Sequence, residues 1–284
     1  MSIIVIEGFK IYDSPQRKSL IIESDRIKEG MQFFKKSNLD GIAITSSFGL
    51  NDLSFVKDYP FIKHLSISEG AFNIKDIYSL ENLTSLIISG KKHRIDYGYF
   101  PKLKELIADW SPYYSNLDKC LYLERLSFYE YAPSSKNLEG IAGIKWLKLL
   151  TITQSLLYSL KGLESFTQLE KIELNYCSKL NELCCLESSS ETLTELILDH
   201  CKAIKNHDYI MGFENINILA YNNCGNIPSI KFIEKMPSLK DFRFVGTDVT
   251  DGDMSPCIGL KYAGFFNKKH YSHTSEQIKN LSNV

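Results

Sequence analysis

Apolar residues return along this chain in a fixed short pattern. Segments of the form L-x-x-L-x-L begin at Leu39 (LDGIAIT), Ile62 (IKHLSIS), Leu83 (LTSLIIS), Leu103 (LKELIAD), Leu123 (LERLSFY) and Leu147 (LKLLTIT). They continue at Leu169 (LEKIELN), Leu193 (LTELILD), Ile216 (INILAYN) and Leu239 (LKDFRFV). A weaker copy begins at Leu260, with Ala263 and Phe265 in the later apolar places. Subtracting residue numbers, successive starts lie 20 to 24 residues apart. The last four residues of each copy alternate apolar and polar, which predicts a short strand buried on one face. One such unit cannot bury its own leucines, but units stacked side by side bury them in a continuous core. The segments between copies, such as NIKDIYSL and DGDMSPCIGL, are too short for long helices. They predict single helical turns, 3-10 turns and extended pieces.

The stack needs closed ends. IIVIEGFKI and SLIIES predict two strands joined by DSPQRK, where Pro15 favours a turn. Ser24 is placed to cap a helix in DRIKEGMQFFKKS, with Ile27, Met31 and Phe34 on one face. The expected organisation is a cap over 1–38, about eleven repeats over 39–270 and a tail over 271–284.

Over about residues 39–270 this pattern resembles the leucine-rich-repeat family, whose period is roughly 20–29 residues. The likeness is to bacterial members with short, irregular repeats. The resemblance implies an α/β fold: a right-handed horseshoe solenoid with a parallel concave sheet, short helical or 3-10 segments on the convex side, and capped ends. Family members often place Asn or Cys at the ninth repeat position. Here Ser47, Ser111, Ser155, Cys177, Cys201, Cys224 and Thr247 stand there, each small and able to hydrogen-bond. A structural ladder is expected rather than a metal site, because no His joins the cysteines at ligand spacing. Residues 249–274 also look similar to the ends of certain bacterial leucine-rich-repeat proteins.

Composition narrows the functional classes. The chain has 284 residues, 44% apolar and 24% charged, with a net charge of -1. So small a charge argues against nucleic acid as the partner. No stretch reaches the roughly 18 apolar residues of a membrane span. The start, MSIIVIEGFK, lacks the basic region of a secretion signal, and the seven cysteines show no even disulfide framework. A cytoplasmic protein is expected. No phosphate loop, H-E-x-x-H, C-x-x-C or nucleophile elbow is present. His93, the pair His270 and His273, and the trio Asp248, Asp251 and Asp253 read as solvated turns or cap residues. No enzyme activity, cofactor or metal is expected.

The third, fifth, seventh and eighth residues of each repeat should point away from the core. From these we select partner-binding candidates: Glu105, Asp109, Trp110, Arg125, Tyr129, Glu130, Glu173, Tyr176, Glu195, Asp199 and His200. Acidic residues outnumber basic ones here although the whole chain is near neutral, which points to a protein partner with a basic surface. Exposed aromatics among charges are binding anchors, and Trp110, Tyr113, Tyr114, Tyr129 and Tyr131 form the expected cluster. The reading is a monomeric inhibitor or immunity protein. The alternative is a regulatory or internalin-like, host-interacting binding protein.

Overall fold

In a computed structural model the apolar pattern becomes a ladder of short parallel strands. Residues 2–70, 73–205, 207, 210 and 213–282 are described. Every repeat start lies two residues before a strand. The chain divides into two compact units, Met1–Glu124 and Arg125–Val284.

The first unit opens with β1 (Ser2–Ile6), β2 (Phe9–Asp13), β3 (Lys18–Ile21) and α1 (Ile27–Lys36). β4 (Gly41–Ile44), β5 (His64–Ile67), β6 (Ser85–Ile88), β7 (Ile95–Asp96), β8 (Glu105–Asp109) and β9 (Tyr114–Ser115) follow. Its sheet runs β1-β2-β3-β4-β5-β6-β8. The first three strands are antiparallel, and from β3 onward pairing is parallel. IIVIEGFKI is thus two strands, not one. Glu7 and Gly8 both take positive φ, 50° and 80°, which forms a two-residue hairpin turn. Ser24 does not cap α1; its hydroxyl accepts the Gly49 N–H at 3.3 Å instead. The helix buries Met31 and Phe34 and places Glu29 in its first turn and Lys35 and Lys36 in its last, as the helix dipole favours.

The second unit holds β10 (Arg125–Tyr129), β11 (Leu149–Thr153), β12 (Lys171–Asn175), β13 (Glu195–Asp199) and β14 (Ile218–Asn222). β15 (Asn226–Ile227), β16 (Asp241–Arg243), β17 (Asp248–Val249), β18 (Tyr262–Gly264) and α2 (Ser275–Ser282) complete it. The parallel order is β10-β11-β12-β13-β14-β16-β18. Thr274 and Gln277 form a capping box at the start of α2: the Gln277 side chain accepts the Thr274 N–H at 2.7 Å, and the Thr274 hydroxyl accepts the Gln277 N–H at 3.2 Å.

Between strands the chain returns through 3-10 turns, for example Ser54–Asp58, Lys75–Ser79, Leu163–Ser165 and Lys231–Lys235. A polar side chain starts many of them by accepting the N–H two residues on: Asp52, Asn73, Asn137, Ser229 and Asp253 each do so. The core follows the repeat. Leu86, Leu106, Leu126, Leu150, Leu196 and Leu219 are fully buried, stacked from strand to strand. Each contributes about 1.5–3 kcal/mol by leaving water.

The ninth-position ladder forms, with one exception. Ser111, Ser155, Cys177, Cys201, Cys224 and Thr247 are buried. The Ser155 hydroxyl donates to the Tyr131 carbonyl and that of Thr247 to the Tyr221 carbonyl. The Cys201 and Cys224 thiols donate to Leu174 and Leu198 carbonyls at 3.4 Å each. Ser47 stands outside this ladder. It is exposed and bonded to Thr45, and Phe48 takes the buried place.

Candidate functional site

The outward face of the second unit's sheet is a grid fixed by strand register. Arg125, Leu149, Lys171, Glu195, Ile218 and Asp241 form one row, and Ser127, Thr151, Glu173, Ile197, Ala220 and Arg243 the next. Tyr129, Thr153, Asn175, Asp199 and Asn222 make a third row. Rows cross strands spaced about 4.8 Å apart.

A fourth row follows, and sequence reasoning missed what shapes it. Glu130, Gln154, Tyr176, His200 and Asn223 all have positive φ, between 51° and 56°. Each donates its N–H to the carbonyl of the seventh residue in the next repeat, Thr153, Asn175, Asp199, Asn222 and Val245, at 2.8 or 2.9 Å. The left-handed conformation costs a non-glycine residue about 1–2 kcal/mol. The extra rung offsets that cost and fixes where these side chains leave the sheet. The absence of β-branched residues at these positions was the legible signal.

Charges on this grid are already engaged. Lys171 lies 2.9 Å from Glu195 and 3.8 Å from Glu173, and Glu173 also accepts the Asn175 amide at 3.1 Å. Arg243 pairs with Asp241 and lies over the ring of Tyr262, 5.4 Å from its centroid. Asp199 meets the His200 ring nitrogen at 2.8 Å and accepts the Asn223 amide at 3.1 Å. His200 in turn stacks on Tyr176 at 4.3 Å between centroids. Tyr176 and Tyr129 remain about half exposed, at 48% and 45%. Acidic groups still outnumber basic ones: Glu130, Glu173, Glu195, Asp199 and Asp241 against Arg125, Lys171 and Arg243.

Eight of the eleven candidates belong to this unit, and Glu105, Asp109 and Trp110 belong to the first. Asp109 has a structural duty: its carboxylate accepts the Gly90 N–H at 2.8 Å. Trp110 is half-buried. The expected aromatic cluster does not form as one exposed patch. Tyr131 is in the core, stacked on Phe128 at 5.6 Å, because it fills the ninth position of its repeat. Tyr114 is partly buried and donates its hydroxyl to the Asp109 carbonyl at 2.8 Å. Tyr113 is exposed beneath the Arg94 guanidinium, 4.3 Å from it.

The other candidates resolve into structure. His270 meets the Val249 carbonyl at 3.0 Å, and Asp248 pairs with Lys268 at 2.8 Å. That pairing holds the Asp248 carboxyl below its ordinary range. Asp251 and Asp253 each accept an N–H two residues on. Among the described residues, no group of three or more His, Cys, Asp or Glu could hold a metal. The seven cysteines are free. Burial pushes the Cys120 and Cys257 thiols up to about 12. Contact with the Cys201 sulfur, together with burial, holds Cys177 and Cys224 far above the usual thiol range. These sulfurs pack as neutral groups. No helix is long and apolar enough to cross a membrane among the described residues.

No protein-family model and no curated protein matches the sequence. Solved structures do match. An internalin from Listeria monocytogenes aligns with a TM-score of 0.57 at 14% identity, over 81% of this chain and 68% of its own. The leucine-rich repeat domain of the type III effector XopL aligns with a TM-score of 0.51 at 14% identity, over 77% of this chain and 82% of its own. These likenesses establish the fold: the chain has the leucine-rich-repeat architecture. It is a variant with short, uneven repeats and 3-10 return segments.

Proposed function

We propose that this protein is a binding scaffold that captures another protein on its outward strand face, and that the partner presents a basic surface there. The observation that carries this is the half-exposed Tyr176, stacked on His200, which Asp199 braces. A rigid aromatic set among polar groups loses little entropy on contact and anchors interfaces. Tyr129, two strands away and so about 10 Å distant, supplies a second anchor. The acidic excess around them steers a basic partner in and disfavours an acidic one. A scaffold without chemistry of its own acts by covering its partner, so we read it as a cytoplasmic inhibitor or immunity protein.

The test is a tagged pull-down with wild type and a Tyr129→Ala/Tyr176→Ala/Asp199→Ala variant whose fold is checked by circular dichroism. Wild type should retain a basic protein whose activity falls on binding. The variant should bind at least tenfold more weakly, as loss of two anchors worth about 2 kcal/mol each implies. Association should slow as salt rises. A partner held equally by both proteins would remove the strand face from the proposal. A partner found only outside the cell would replace the inhibitor reading with an internalin-like one.

A further inference from the structure

The turn between β2 and β3 spans Ser14–Arg17. It is tied to itself by the Ser14 hydroxyl, which donates to the Arg17 carbonyl at 2.8 Å. Pro15 and Gln16 are exposed. Arg17 is different. It precedes β3, yet its guanidinium reaches across β4 and β5 to β6 and β8. One nitrogen donates to the Ser85 hydroxyl at 2.8 Å, and another donates to the Glu105 carboxylate at 2.6 Å. The Ser85 hydroxyl donates to the same carboxylate oxygen at 2.6 Å. Ser85 is almost fully buried, so this is a preformed pair of acceptors at the foot of the strand face. Two acceptors engaged by two arms of one guanidinium match the fork of arginine and not the point charge of lysine.

We propose that Ser85 and Glu105 form a guanidinium-recognition subsite of the binding face, which Arg17 fills in the free protein and an arginine of the partner protein takes over in the complex. This rests on reading the strand face as a protein-binding surface, and it adds the chemistry of one contact. Of the turn's side chains, Arg17 alone is hydrogen-bonded to the face, so its release needs no rebuilding of the fold. Arg17 therefore acts as an internal competitor. It keeps the buried Ser85 and Glu105 satisfied in the free state and screens out basic side chains that lack the fork.

The subsite can be tested without any partner. Full-length wild type, Arg17→Ala, Arg17→Lys and Arg17→Ala/Glu105→Gln are titrated with N-acetyl-arginine amide and, separately, N-acetyl-lysine amide, with binding followed by NMR. Arg17→Ala should bind the arginine probe about tenfold more tightly than wild type, the scale of one charge-assisted hydrogen-bonded pair. The lysine probe should show no such gain, and the added Glu105→Gln should abolish it. If Arg17→Ala does not fold, Arg17→Lys serves in its place, with methylguanidinium expected to raise its melting temperature. Equal binding by wild type and the vacated variants would overturn the subsite and leave Arg17 as a clasp for the hairpin. With a partner in hand, Arg17→Ala should bind it more tightly. Absence of any partner would defeat the scaffold reading while leaving the amide titration to decide the subsite.

Discussion

The two units use the same repeat differently. In the first, β4, β5 and β6 have four residues each, and repeats from Leu39 to Leu123 are 20 to 23 residues long. In the second, β10 to β14 have five residues each, and repeats from Leu123 to Leu239 are 22 to 24 long. The added length goes into the end of the strand. There the second unit has its row of left-handed residues, its extra rung of hydrogen bonds and most of its ninth-position ladder. The first unit has a positive φ at this position only at Gly90, and its Ser68 and Ser89 donate backward, to Ile44 and Ile67. One or two residues per repeat thus decide whether the turn after the strand is bonded sideways to its neighbour. Where it is, exposed side chains such as Tyr176 are held in place. Where it is not, the first unit ties its face together through side chains, above all Arg17 to Ser85 and Glu105.

The harshest way to break the comparison is through the core both units share. Leu198→Ala, at a fully buried site in β13, should cost about 2–5 kcal/mol. Because each repeat contacts only its neighbours, the loss should concentrate around β12 to β14. Hydrogen exchange resolved by segment would show it, and uniform loosening from β3 to β18 would refute nearest-neighbour stacking here.

The ladder offers a sharper contrast. Thr247 accepts the Cys224 N–H at 2.9 Å and donates to the Tyr221 carbonyl, all buried. Thr247→Val keeps the volume and strands both backbone groups, at a cost of about 1–3 kcal/mol. Ser47→Ala removes a hydroxyl from the same repeat position in the first unit. It should change stability by less than about 0.5 kcal/mol, since that side chain is exposed. Thermal unfolding of the two variants would separate them, and equal losses would mean Ser47 belongs to the ladder after all.

These contrasts also show what the sequence could and could not disclose. Strand positions were legible because a period-two pattern within a fixed repeat leaves one register that buries the leucines; all eleven starts lead directly into strands. The buried fate of Cys177, Cys201 and Cys224 was legible from size and spacing. Ser47 was not, because Phe48 competes for the same hole and wins by the apolar area it removes from water. Tyr131 failed for the converse reason: its repeat lacks a small ninth residue, so the ring turns inward. The acidic excess was readable, but its neutralisation was not. Arg17 lies 88 positions from Glu105, and no local pattern links them. The left-handed row escaped because most of its members, Glu, Gln, Tyr and His, are not residues that mark such a conformation.

Glycine substitutions should reverse sign between the units. Gln154 pays for a positive φ of 56°, so Gln154→Gly should raise stability by up to about 1 kcal/mol, relief of the left-handed conformation exceeding the entropy glycine adds to the unfolded chain. Glu69 occupies the same repeat position in the first unit without a positive φ. Glu69→Gly should lower stability by about 0.5–1 kcal/mol. Chemical denaturation of both variants decides the matter; a loss at both positions would show that the rung, not the side chain, sets the local energy.

The smallest effect is one of pH, and it belongs to the first unit. Burial lowers the pKa of His64 from its ordinary 6.5; Arg17 and Lys63 push the same way, while Asp40 and Glu105 oppose them. Burial likewise lowers His93, against the opposing charge of Glu69. Both therefore hold a proton less readily folded than unfolded. Stability is unaffected well above about pH 6.5, and declines as pH falls from there toward the folded-state values, because the unfolded chain takes up the protons first. Amide exchange in β4, β5 and β6 should accelerate relative to β12 and β13 between about pH 7.5 and pH 5.5, after correction for intrinsic rates. His64→Gln should remove part of that acceleration, because the amide does not titrate in this range. An acid-induced loosening that leaves the first unit's strands no faster than those of the second, or that persists undiminished in His64→Gln/His93→Gln, would remove these histidines from the difference.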